Sequence, residues 1–281
     1  LVSASIQSII RDHMAVYGNI HNIEEKVAIH INDTHPTLAV PELMRILLDD
    51  CGYGWEQAWH IVTNAFAYTN HTVMAEALEK WDKTLLERIL PRIFSIICEI
   101  NRRYCEELFA RTQNSEKVTK MSIIQDGKIH MANLCVAASH SVNGVSKLHS
   151  QIIKDSVFHD YFLYAPNRFK NVTNGIAYRR WLLASNPGLT SLLEETIGED
   201  FKYDASNLKK LEAFADDKAV LARMGEIKHA NKVAFANHLE KLTGQVIDPS
   251  STFDVQVKRM HEYKRQHLNA LSITADYLYL K

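Results

Sequence analysis

Apolar residues fall into short runs separated by longer stretches of helical spacing. Residues 26–31 (Lys-Val-Ala-Ile-His-Ile) read as a buried strand and residues 32–36 as a turn, with Pro36 where a first helical turn tolerates proline. Residues 41–50 follow as a helix with Leu43, Ile46 and Leu47 on one face. A helix over 55–62 and a short strand over 66–68 come next, and the loop Thr69-Asn70-His71-Thr72 is expected to feed a further helix. Spacing is helical over 85–109, with a break or kink at Pro91. Residues 121–130 read as two short strands around Asp126-Gly127. Val142, Val145, Leu148, Ile152 and Ile153 read as one helix face, and residues 169–176 as a short strand or crossing segment. Helical patterns then cover 180–193, 208–214 and 217–242, where Gly244 stops the last. At residues 253–257, Phe253, Val255 and Val257 alternate with Asp254 and Gln256, the period of a strand. From Leu268 the spacing is helical again, with Leu268, Leu271, Ala275 and Leu278 on one side. Helices alternating with short strands predict an α/β fold, with a boundary near Asn174-Gly175.

Between that last strand and helix, Lys258, Arg259, Lys264 and Arg265 crowd together with His261 and His267. In α/β proteins ligands gather at the carboxyl ends of strands, and a helix N-terminus there offers free N–H groups to an anion. Cations at such a corner supply what a bound phosphate needs, although a Lys/Arg run is more often a solvated face. Nucleic acid is disfavoured, because 32 basic residues meet 33 acidic ones and no domain-wide basic surface results. No apolar run approaches the roughly 20 residues of a membrane span, and no signal peptide is visible. Cys51, Cys98, Cys105 and Cys135 are scattered without a C-x-x-C pair. They suggest neither a zinc site nor a disulfide framework, and imply a reducing, cytoplasmic compartment. Asn32, Asn70 and Asn171 each head an N-x-T sequon, read as site or chance residues rather than glycan acceptors. The chain opens on Leu1 within an apolar pattern and closes at Lys281 without a stop signal, so we expect a piece of a longer protein.

Three polar loops recur at the ends of predicted strands: Asn32-Asp33-Thr34-His35-Pro36, Thr69-Asn70-His71-Thr72 and Thr173-Asn174-Gly175. Their short side chains donate and accept hydrogen bonds, which suits a ligand covered in hydroxyls, a sugar. Singly, each loop is explained as well by turns and helix caps. His30, Asp33 and His35 carry metal-ligating groups but no fixed-spacing metal motif, so no metal is expected.

Together these residues resemble the glycogen/starch/maltodextrin phosphorylase family. The resemblance rests on VAIHINDTHPTLAVPELMR, AFAYTNHTVMAEALEKW, HMANLCVAASHSVNGVSKLHS, FKNVTNGIAYRRWL and FDVQVKRMHEYKRQ, which are ordered as in the family and spread over nearly the whole chain. It implies a partial two-Rossmann glycosyltransferase (GT-B) architecture. Residues 1–174 would be the later part of an N-terminal glucan-binding and catalytic domain. Residues 175–281 would be the helical crossover and first strand–helix of a C-terminal cofactor domain. The family splits a terminal α-1,4-linked glucose from a glucan with inorganic phosphate, releasing α-glucose 1-phosphate with retained configuration. Pyridoxal phosphate assists through its phosphate group.

By the same resemblance, Lys258 lies at the cofactor phosphate while Arg259 and Lys264 grip the substrate phosphate. Tyr263 sits near phosphate and sugar, His71 and Asn174 contact the reacting glucose, and Asp33 and His35 line a pocket beside it. The family pattern has Pro where Ala75 precedes Glu76 and Thr-Pro where Ala177-Tyr178 precede Arg179, so these loops lack a proline's stiffness. The Schiff-base lysine is expected beyond Lys281 and a glucose-contacting loop before Leu1, so the 281-residue chain alone is expected to be inactive on maltoheptaose. The full-length enzyme is expected to be a homodimer. Two other readings stay open: a sugar-nucleotide glycosyltransferase of the same architecture, which would consume ADP-glucose, and a non-catalytic glucan-binding module. The His-Glu-Tyr-Lys-Arg block argues against the first, and the presence of Lys258, Arg259 and Lys264 against the second.

Overall fold

The computed structural model describes Leu1–Lys281, which divide into two compact units, Leu1–Gly175 and Ile176–Lys281. Seven strands occur, all in the first unit: β1 (Ile29–Asn32), β2 (Phe66–Thr69), β3 (Lys80–Asp82), β4 (Ile124–Gln125), β5 (Lys128–His130), β6 (Ser141–Gly144) and β7 (Phe169–Asn171). β1, β2, β6 and β7 lie side by side in that order, every pair parallel. Parallel neighbours need crossover connections, and helices supply them. β2 is central, with Phe66 and Tyr68 fully buried, because helices cover both its faces.

The crossover from β1 to β2 runs through the helix Ala39–Arg45, a π-helical continuation Ile46–Asp50 and the helix Trp55–Ala65. Leu43, Met44 and Leu47 from the first two, and Ile61 and Val62 from the third, are buried. The break expected at Pro91 is present. Leu90 leaves helical conformation after Lys83–Ile89, and Pro91 opens Pro91–Thr112 at its first position, where its missing N–H has no partner to lose. Ile96, Ile97, Ile100 and Leu108 of that helix join the core, as does nearly all of Met131–Ala138.

Two sequence expectations in this unit are corrected. The loop after Thr69 feeds no α-helix: it passes through a short 3₁₀ turn, Ala75–Ala77, into β3, which pairs with β5. Val142 is not on a helix face with Leu148 but in β6, between β2 and β7. Its helix starts only at Lys147, where Ser146 Oγ accepts from the His149 N–H at 3.1 Å, and Leu148 is left exposed. Residues 121–130 do form two strands about the Asp126-Gly127 turn, where both residues have positive φ.

The second unit is helical. Residues Arg179–Ala184, Pro187–Ile197 and the 3₁₀ segment Ala205–Phe214 enclose a small core of Leu193, Ile197 and Phe201, and Lys218–Thr243 packs on Pro187–Ile197. Asp217 caps Lys218–Thr243 by accepting from Ala219 and Val220 N–H, and Gly244 closes it at φ 74°. The predicted strand over 253–257 does not form. An alternating segment becomes a strand only when a neighbour accepts its N–H groups; none does, and Val255 and Val257 are exposed. The basic turn after it holds, with Arg265 at φ 59°. So does the helix, Gln266–Leu280, although none of its residues is buried. No helix is long and apolar enough to cross a membrane.

Candidate functional site

Because β1, β2, β6 and β7 are parallel, their carboxyl ends, and the loops after them, share one edge of the sheet. At β1, Asp33 adopts a left-handed conformation, φ 62°. Its N–H donates to the Thr69 carbonyl at 3.0 Å, and its Oδ1 accepts from the Thr34 N–H at 2.7 Å. That second bond is the local compensation that lets an aspartate take this backbone shape. Glu79 accepts from Thr34 Oγ1 at 3.0 Å, contacts His35 Nδ1 at 2.5 Å and accepts from Trp81 Nε1 at 3.2 Å. His35 is thereby oriented although its side chain is 77% exposed.

At β2, His71 Nε2 meets Asn32 Oδ1 at 2.5 Å. An amide oxygen only accepts, so Nε2 carries a proton, and in the neutral ring Nδ1 is left with a lone pair. Asn70, next to it, is fully buried. Its Nδ2 donates to Tyr68 Oη at 3.1 Å, its Oδ1 accepts from the Thr72 N–H at 3.1 Å, and its own N–H donates to the Asn143 carbonyl at 3.0 Å. His149 Nδ1 accepts from the Val145 N–H at 3.1 Å, so its proton sits on Nε2, which donates to Asn70 Oδ1 at 3.1 Å. Burial pulls this imidazole below the usual histidine range, reinforced by His71 and opposed by a hydrogen bond to the Thr72 backbone. A second row runs across the strands: His30 bonds Thr69, whose Oγ1 donates to Asn143 Oδ1 at 2.6 Å. At β7, the Asn174 N–H donates to the Val145 carbonyl at 3.0 Å, while its side chain is exposed.

The structure thus brings Asp33, His35, His71 and Asn174 to one edge. A chain of hydrogen bonds links Asn32 to His71, Asn70 to His149, and Val145 to both His149 and Asn174. Sequence reading missed Glu79, Asn143 and His149 as organisers, although all three lie within segments that carried the resemblance. It also took Asn70 for a loop residue, where the fold makes it a buried strut.

The basic cluster belongs to the second unit. Lys258 and Arg259 line a cleft of about 220 Å³ against the first turns of Gln266–Leu280, with Gln256, Met260, Gln266 and Asn269. Both cations are exposed. Tyr263 and Lys264 lie in the 3₁₀ turn Glu262–Lys264 and do not line that cleft. Lys264 Nζ instead sits 4.9 Å from the centre of the Tyr263 ring, and the His261 ring packs edge-on against the same tyrosine. Lys258, Arg259 and the helix start are therefore together, and Tyr263 and Lys264 form a neighbouring pair.

The chain matches the model of a family described as carbohydrate phosphorylase over residues 1–281. It is 46% identical over 281 residues to a glycogen phosphorylase of Haemophilus influenzae, covering 99% of this chain and 34% of that protein. Against a Bacillus subtilis glycogen phosphorylase it is 46% identical over 282 residues, covering 100% of this chain and 35% of the relative. The human muscle form of glycogen phosphorylase is 45% identical over 293 residues, with 100% of this chain and 35% of the relative covered. The chain spans about a third of the length of these curated relatives.

Proposed function

Since the chain belongs to the carbohydrate phosphorylase family, we propose that it forms part of an α-1,4-glucan phosphorylase, a glycosyltransferase acting on α-1,4-glucan with inorganic phosphate. The reaction releases the terminal glucose as α-glucose 1-phosphate with retention. The observation that carries this reading is the hydrogen-bonded set of loops, Asp33 to Asn174, along one edge of a parallel sheet, in a chain that matches the family from end to end. In this reading residues 1–174 are the later part of the N-terminal glucan-binding domain. Residues 175–281 are the crossover and the start of the C-terminal cofactor domain of a GT-B enzyme, a cytoplasmic homodimer at full length.

Cleavage of the glycosidic bond places positive charge on the departing glucosyl ring. His71, its Nε2–H spent on Asn32, offers Nδ1 to a sugar hydroxyl and holds the ring as that charge grows. The exposed Asn174 amide supplies a donor and an acceptor to a further hydroxyl. Asp33 and His35, fixed by Thr34 and Glu79, shape the pocket wall beside the sugar. Holding the attacking phosphate dianion beside another phosphate demands concentrated positive charge, because like charges a few ångströms apart repel strongly in a dry cleft. Arg259 suits the substrate phosphate, since its planar fork grips two oxygens at once, and Lys264 and Tyr263 complete that grip. Lys258, exposed in the cleft at a helix start, is the donor type that fits the phosphate of pyridoxal phosphate. When bound, that cofactor supplies its phosphate group to the reaction.

The test is Arg259→Ala in the full-length protein. Phosphate-dependent release of glucose 1-phosphate from maltoheptaose should fall by at least about 100-fold, as when one charge-stabilising donor is removed, with glucan binding retained. Unchanged turnover, or consumption of ADP-glucose in place of phosphate, would overturn the reading.

A further inference from the structure

A second cavity, of about 310 Å³, opens in the first unit among Trp55, Trp59, Arg103, Tyr104, Tyr164 and Arg168. It lies away from the strand-end loops. Thr63 and Ala137, also in its wall, precede β2 and β6, and Arg168 immediately precedes β7. The cavity therefore sits toward the amino-terminal edge of the sheet whose carboxyl-terminal edge carries His71 and Asn174. Strands of this length separate the two edges by roughly 10 Å.

Its walls are flat and held in place. Trp55 and Trp59 are one helical turn apart on Trp55–Ala65. The Arg103 guanidinium stacks 4.9 Å from the Trp55 ring centre while paired to Glu99 and Glu56. Tyr164 Oη donates to Glu107 at 2.8 Å, and Arg111 covers the Tyr164 ring at 5.1 Å and pairs with the same Glu107 at 2.9 Å. The carboxylates Glu56 and Glu107 are thus each matched to an arginine. The Tyr104 hydroxyl and part of the Arg168 guanidinium are not matched within the protein. Tyr104 is 7% exposed, stacks on Tyr161, and its hydroxyl makes no hydrogen bond within the protein. Burial pushes its phenol far above the usual tyrosine range, so it remains a neutral O–H donor. Arg168 spends Nη1 on the Val136 and Ala137 carbonyls, at 3.3 Å each. Its Nε and Nη2 have no carboxylate partner. Neither Tyr104 nor Arg168 is sealed away from solvent, so both present donors to the cavity, where a ligand oxygen can replace water as their acceptor.

We propose that this cavity is a second ligand site, taking a single sugar ring that bears an anionic group, a hexose monophosphate. The volume is at the lower end for small-molecule sites and admits one substituted ring rather than a glucan chain. The aromatic walls suit the apolar face of a pyranose, and Tyr104 and Arg168 suit the oxygens of its anionic group. The choice of a sugar phosphate among anions rests on the phosphorylase reading. The cavity and its free donors do not.

The test uses the 281-residue chain carrying Trp81→Phe and Trp181→Phe, so that only Trp55 and Trp59 report. Glucose 1-phosphate should give a saturable change in tryptophan emission, at least about fivefold tighter than glucose or inorganic phosphate alone. Tyr104→Phe, which removes no bond made within the protein, should weaken it about tenfold, the worth of one hydrogen bond. Arg168→Gln should weaken it further, and His71→Ala should leave it unchanged. Near-ultraviolet circular dichroism checks that each variant is folded; if Arg168→Gln is not, Tyr104→Phe decides. No saturable response, glucose binding as tightly as its phosphate, an affinity untouched by Tyr104→Phe, or a response lost in His71→Ala would each overturn the proposal. Failure of the phosphorylase reading would appear separately, in the turnover of the Arg259→Ala enzyme.

Discussion

Asn70 carries more of the candidate site than any residue that faces solvent. It is fully buried, and its amide is shared by Tyr68, Thr72 and His149. Asn70→Ala would leave a phenol, a backbone N–H and an imidazole N–H without partners, and should cost about 3 kcal/mol of unfolding free energy in urea titrations. Asn174→Ala, at an exposed side chain, should change stability by less than about 0.5 kcal/mol. Equal losses at the two positions would contradict the division between buried strut and exposed side chain. A pH effect follows from the same network. His149 and His130 both lie below the usual histidine range, in each case chiefly through burial. Their folded pKa values being depressed, they bind protons less readily in the fold than in the unfolded chain. Stability is then fully present above the ordinary histidine pKa of about 6.5 and is lost as pH falls below it toward the folded values. The urea midpoint should decline from about pH 7 to about pH 5.5, and the His149→Gln, His130→Gln double variant should decline less steeply. A double variant with an undiminished slope would place the titrating groups elsewhere.

At the scale of elements, close packing distinguishes two glycines that look alike in sequence. A Cβ on Gly144, at the end of β6, would meet Ser150 Oγ at 2.6 Å and the Ser150 Cα and N at 2.8 Å. The helix Lys147–Ile152 packs backbone-close on the strand, and Ser150 Oγ uses that approach to donate to Asn171 Oδ1 at 2.8 Å. Gly144→Ala should therefore cost about 2–3 kcal/mol, as overpacking does. Gly225, inside Lys218–Thr243, has open space where its Cβ would go. There alanine should add roughly 0.5–1 kcal/mol through helix propensity and a less disordered unfolded chain. Thermal melts of both variants check the pair, and the opposite order would refute it. The same elements show what the sequence made legible. Periodicity located Trp55–Ala65, β2 and Lys218–Thr243, because each signals itself locally, by an amphipathic stripe or a cap. It misassigned Val142 because a four-residue strand followed by a helix presents apolar residues at helical spacing by coincidence. It assigned a strand to 253–257 because alternation reports a side-chain pattern, while a strand exists only with a hydrogen-bonded neighbour.

Over the whole molecule, the site loops were legible as chemistry and as family resemblance, but their wiring was not. The Asn70–His149 bond spans 79 positions and the Asn32–His71 contact 39, and no local pattern encodes such pairings. Burial is also unevenly shared between the two units. The first has a continuous core from Ile6 to Phe169, whereas the second has Leu193, Ile197 and Phe201 at its centre. Gln266–Leu280 has no buried residue, and Leu268, Leu271 and Leu278 are all more than half exposed. A helix of 15 residues without tertiary packing is marginal in water, because propagation barely offsets nucleation. Local opening free energy follows buried contacts. Hydrogen exchange of the 281-residue chain should therefore find β2 and Met131–Ala138 protected up to the global unfolding limit, and Gln266–Leu280 exchanging fastest among the long helices. The basic cleft is lined by Lys258 and Arg259 on one side and by the first turns of that helix on the other. Inorganic phosphate bound by Lys258 and Arg259 would connect the turn to the helix start and slow exchange there, by the linkage that lets any ligand of the folded form stabilise it. Strong protection of Gln266–Leu280 without phosphate, or no slowing at saturating phosphate in a chain whose β2 remains protected, would show that the cleft is not a phosphate site in this chain.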